Sequence, residues 1–111
     1  MPVDVIVLYA TPDDPAAFDE HYTHIHIPLA RAMPYLECFE VSDGPVDVQG
    51  GPSCHLVARL GYASHADLQA SLASPEGQSA VADLANFAQA GVILVTAEMR
   101  AVEQSPTPRA R

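Results

Sequence analysis

The chain has 111 residues, 49% of them hydrophobic, which suits one domain with a real core and excludes a disordered chain. Fourteen acidic residues stand against five basic ones, all arginine, and two of these (Arg109 and Arg111) lie in the last few positions. So acidic a surface repels nucleic-acid phosphates and anionic lipid heads. No apolar run reaches the ~18 residues of a membrane span, and the start Met1-Pro2-Val3-Asp4 lacks the basic residues of a secretion signal. The expectation is a cytoplasmic protein with no nucleic-acid or membrane partner. Its ligand is a neutral or weakly polar small molecule, since only Arg31, Arg59 and Arg100 could hold an anion locally.

In chain order, Val3 to Ala10 reads as a β-branched strand, with Val3, Val5, Val7 and Tyr9 on one face and Ile6, Leu8 and Ala10 on the other. Both faces are apolar, so both require cover. Asp14 suits a helix N-cap and Pro15 the first helical position. At about 100° per residue, Phe18, Tyr22, Ile25 and Leu29 form the buried stripe of that helix. Pro28 lacks an N–H and pushes Ile27 away from α geometry, which predicts a kink or break, then a short turn over Leu29 to Met33. A second strand covers Leu36 to Asp43, a loop runs from Gly44 to Pro52, and a third strand covers Cys54 to Tyr62. Ser64 and Asp67 cap a second helix. Ser74 and Pro75 start a third that runs to Phe87, and Gly91 to Val102 forms the last strand. Residues 1–104 make the domain; the proline-rich, polar run 105–111 reads as a disordered tail.

The order βαββαβ predicts an α+β, ferredoxin-like sandwich, an antiparallel sheet with its helices on one face. The other face is bare and apolar, which predicts a homodimer stacked sheet to sheet.

Five histidines are the candidates for chemistry: His21, His24, His26, His55 and His65. On a regular helix His24 and His26 diverge by about 160°, so the tract is not expected to hold a metal. His26 falls on the inner edge of the buried stripe. There it is either a core histidine bonded to a carbonyl or a general acid or base, because imidazole titrates near neutrality. Tyr22, near the stripe's centre, either packs or donates its hydroxyl. His55 and His65 read as surface residues. Cys38 and Cys54 read as free thiols, with Cys38 nearer Ala58 than Cys54 across the hairpin. There is no glycine-rich phosphate loop, GxSxG or CxxC.

Leu8-Tyr9 ahead of Pro15-Ala16-Ala17-Phe18, then His21-Tyr22 and His26-Ile27-Pro28-Leu29-Ala30, resembles the EthD family. So do Ser74-Pro75-Glu76-Gly77-Gln78, Asp83-Leu84 and Asn86-Phe87, and the resemblance runs from Val3 to about Val102. It implies a dimeric α+β barrel of two ferredoxin-like protomers. Relatives in the superfamily include cofactor-free enzymes acting on aromatic, polyketide or lactone substrates, and others that bind haem; no haem-ligand motif is matched here, and no cofactor is expected. His26 matches the motif histidine, while His24 stands where the motif commonly has a small polar residue. The reading that follows is a cofactor-free isomerase, cyclase or lyase acting on a small hydrophobic carbonyl or phenolic compound in degradation or secondary metabolism. His26 would be acid or base and Tyr22 a donor, in a pocket lined by Tyr9, Phe18, Leu29 and Phe87. The alternative is a non-catalytic accessory or binding protein using the same pocket.

Overall fold

The computed structural model describes residues 1–103; the tail 105–111 and the boundary after residue 104 lie outside them. Four strands, β1 (Val3–Ala10), β2 (Cys38–Val41), β3 (Cys54–Tyr62) and β4 (Val92–Glu98), form one antiparallel sheet in the order β2-β3-β1-β4. This is the ferredoxin-like α+β sandwich. The two central strands are the longest and the most buried, and they carry the core.

The strand period divides β1 cleanly. Val3, Val5, Val7 and Tyr9 are buried under the helices, and the alternate residues are only partly covered. Register carries the same division across the sheet. Leu56, Ala58, Leu60 and Tyr62 of β3 pair with the buried set, and Phe39 of β2 pairs with Leu60. The bare face holds Ile6, Leu8, Val57, Ile93 and Val95. Beside them Arg59 donates Nε–H to Asp4 at 3.1 Å and Nη1–H to Glu40 at 2.7 Å. Cys38 lies opposite Gly61, further along β3 than Ala58, and both cysteines are free thiols.

Helix α1 (Pro15–His21) starts where its capping residues predict: the Ala17 N–H bonds Asp14 Oδ1 at 3.1 Å, and Pro15 occupies the first turn. No break follows at Pro28. Instead Tyr22–His26 winds as a π segment, with the Ile27 N–H on the Tyr22 carbonyl, and α2 (Ile27–Arg31) continues from it with Pro28 in its own first turn. Proline is tolerated there because the widened turn precedes it. The change of pitch also moves the stripe. Ile25 is exposed, and the residues turned inward are Phe18, Tyr22, His26, Ala30 and Met33.

Ser64 caps α3 (His65–Ala73) through the Asp67 N–H, and Ser74 caps α4 (Pro75–Phe87) through the Gly77 N–H. A Cβ at Gly77 would fall inside contact distance of the Ser71 carbonyl oxygen, so glycine is what lets the two helices approach. Strands β2 and β4 are shorter than their apolar runs suggest, ending at Val41 and Glu98. No helix among the described residues is long and apolar enough to cross a membrane.

Candidate functional site

α4 buries Gly77, Ala80, Asp83 and Phe87 on one stripe, so a carboxylate takes a core position. The two histidines it meets come from the other helical stretch. In an α-helix, residues five apart are separated by about 140°. In a π segment the backbone bond closes five residues back, which brings His21 and His26 onto one side. Both reach Asp83: His21 Nε2 lies 2.9 Å from Oδ1 and 3.0 Å from Oδ2, and His26 Nδ1 lies 3.0 Å from Oδ2. Asn86 adds an N–H to Oδ1 at 2.9 Å. Phe87 packs against both imidazoles, with ring centroids 4.7 Å from His26 and 5.1 Å from His21.

A carboxylate only accepts, so both histidines donate to it. His26 therefore carries its proton on Nδ1. Its Nε2 has no hydrogen-bond partner among the described residues, and the ring lines a cavity between the helices and the sheet. Burial favours the uncharged imidazole and holds the His26 pKa below its ordinary value, although the bond to Asp83 and that carboxylate's charge work the other way. Burial on its own would raise the Asp83 pKa. The bonds from Asn86, His21 and His26 outweigh it and hold Asp83 ionised.

The cavity is about 70 Å³. Tyr22 lines it beside His26, with centroids 5.4 Å apart, and Tyr9 lies edge-on to Tyr22 at 5.5 Å. Burial pushes the Tyr22 phenol up to about 12 and Tyr9 higher still, so both remain protonated donors at neutral pH. Among the described residues the lining includes no charged side chain. An internal base with a free lone pair, an ionised aspartate behind it and phenol donors alongside can accept a proton and stabilise oxygen charge.

The structure brings Tyr9, Tyr22 and His26 to this cavity. Phe18 and Phe87 are buried beside it but face an outer cleft shared with Asp13, Asp14 and His21. Leu29 lies at a surface hollow with Pro75, Glu76 and Ser79, displaced by the wider turn before it. His24 is exposed, 3.7 Å from Glu20; His65 contacts Gln69 on the surface, and His55 bonds Asp19 at 2.7 Å. Among the described residues no group of three or more His, Cys, Asp or Glu side chains is placed to hold a metal ion. Sequence reasoning found no carboxylate partner for His21 and missed Asp83. The signal was present: an aspartate three residues after Ala80 and four before Phe87, on the apolar stripe of α4.

The family profile for the EthD domain matches residues 11–91. The chain belongs to the EthD family. This EthD protein is 44% identical over 93 residues to an uncharacterized 11.0 kDa protein in the thcB-thcC intergenic region of Rhodococcus erythropolis, covering 82% of this chain and 88% of that one. It is similar to the crystal structure of an EthD family protein from Bacillus halodurans, with a TM-score of 0.81 and 33% identity over 90% of this chain and 100% of the other. At 15% identity it shares only the fold with SnoaB, a cofactor-independent oxygenase from Streptomyces nogalater, with a TM-score of 0.61 over 96% and 98% of the two chains.

Proposed function

We propose that this EthD protein is a cofactor-free enzyme of the isomerase, cyclase or lyase type, moving a proton on a small hydrophobic carbonyl or phenolic compound in degradation or secondary metabolism. The observation that carries this reading is the His26–Asp83 pair, with Nε2 unpartnered among the described residues and the ring lining the cavity. His26 Nε2 takes a proton from the carbon or oxygen next to the substrate's carbonyl. Asp83 holds the imidazole in the Nδ1–H tautomer and stabilises the imidazolium that forms. Tyr22 donates its phenolic hydrogen to the oxygen on which charge develops. His26 then returns the proton to a different atom of the substrate. A lining without charge favours neutral ligands over carboxylates or phosphates. SnoaB, which shares the fold, is described as a cofactor-independent oxygenase, so this fold can carry chemistry without a cofactor.

The working form is a cytoplasmic homodimer joined through the bare sheet face, where Ile6, Leu8, Val57, Ile93 and Val95 lie side by side. Structures of this fold from Bacteroides fragilis and Thermobifida fusca, with TM-scores of 0.62 and 0.68, are described as dimeric. Leu8→Lys is expected to give the 11.8 kDa monomer in sedimentation equilibrium, whereas Val7→Lys damages the protomer core.

The catalytic reading is tested by following hydrogen–deuterium exchange at the carbon beside the carbonyl of butanone in D₂O. The protein is expected to accelerate exchange, and His26→Ala to slow it by about 10²–10⁴-fold while leaving the dimer intact. Binding without exchange identifies the accessory, non-catalytic alternative. Unfolding of His26→Ala assigns the histidine a structural role.

A further inference from the structure

We propose that the ligand of this cavity is elongated, with a compact polar head at His26 and Tyr22 and an unbranched apolar tail that leaves over a lip formed by Leu72, Val81 and Leu94. The head assignment rests on the function proposed above; the tail does not.

Three observations carry it. First, the lip is where the cavity opens. Of the described side chains lining it, only Leu72, Val81 and Leu94 are exposed, by 42%, 49% and 51%, and they come from three different elements, α3, α4 and β4. Leu94 sits opposite Val7 and so lies on the helix-facing side of the sheet, yet the helix layer leaves it half uncovered. Second, the polar lining is grouped and none of it belongs to the lip. His26, Tyr22 and Tyr9 lie side by side, and the remaining phenol, Tyr62, is engaged by Ser71 at 2.9 Å. Third, the space is small. About 70 Å³ is close to the share of two water molecules, and about half of a cavity known to accept benzene. A ligand reaching His26 can place only a few heavy atoms inside, so the rest of it lies along the lip. Three large aliphatic side chains there match an alkyl chain and offer nothing to a polar one.

The test is a calorimetric titration of the full-length protein with straight-chain methyl ketones from butanone to nonanone. Affinity is expected to rise by up to about fourfold with each methylene laid against the lip. In Leu94→Ser combined with Val81→Ser the gain falls below about twofold per methylene on the same scale. His26→Ala weakens every ketone by one common factor and leaves the dependence on chain length as it was. Affinity that is flat or falls beyond butanone, a dependence unmoved by the lip substitutions, or no binding by any ketone overturns the proposal. If His26→Ala changes nothing while the chain-length dependence persists, the lip stands and the proton-transfer reading of His26 falls.

Discussion

His26 and Asp83 meet at 3.0 Å, and His55 and Asp19 meet at 2.7 Å. Each histidine also rests on an aromatic ring, His26 on Phe87 at 4.7 Å and His55 on Phe18 at 5.0 Å. The two pairs share their chemistry and differ in surroundings. Among the described residues, Asp83 is 5% exposed and accepts from three side chains, whereas Asp19 is 60% exposed and accepts from one. Water competes for the outer pair and screens it, so its shorter distance does not make it the stronger contributor. The inner pair is largely shielded from water. Its members depend on one another, and that dependence fixes a tautomer and leaves Nε2 of a cavity-lining ring without its proton.

The most severe way to break the inner pair is Asp83→Ala. It strands the donors of His21, His26 and Asn86, two of them in or near the core, and is expected to cost about 2–3 kcal/mol in urea unfolding. Acid is a gentler probe with two separate limbs. The His26 pKa is depressed in the folded protein, so the unfolded chain takes up that proton first, and stability declines as pH falls through about 6.5. The Asp83 pKa is also depressed, so its contribution is present above about 4 and is lost as pH falls below that value. Urea midpoints from pH 8 to pH 3 are expected to show both limbs, with the upper one absent in His26→Gln and the lower one absent in Asp83→Asn. Tyr22→Phe removes one buried hydroxyl and is expected to cost about 1 kcal/mol by the same unfolding measurement. At the small end, Asp19→Asn is expected to cost about 0.5 kcal/mol and to leave ketone exchange at the wild-type rate. A loss comparable to that of Asp83→Ala would erase the contrast between the two pairs.

Most of the fold was legible because its signals are local. Asp14, Ser64 and Ser74 each cap the helix that follows, and β1 alternates with the period of a strand. The site was legible in part. His26 and Tyr22 could be placed inward from one helix, but Asp83 is 57 residues from His26, and no spacing rule joins them. Uniform α periodicity also failed where the helix changes pitch, putting Ile25 inside when it is 49% exposed. A pattern read at one angle per residue has no means of detecting a single wider turn, and proline at position 28 signalled an irregularity without saying which kind.

The π segment also bears on how the chain's length can vary. A π turn is what a regular helix becomes when it absorbs a single inserted residue without shifting the turns on either side. Here the surplus lies on the solvent side, where Thr23, His24 and Ile25 are all exposed. Removing His24 would leave His21 and His26 four positions apart, which in a plain α-helix is again one face. The deletion is expected to keep both imidazoles on Asp83 but to set Pro28 inside a regular helix, where its missing N–H and its ring strain the preceding turn. EthD proteins with a one-residue gap between these histidines would then hold the same site on a simpler helix.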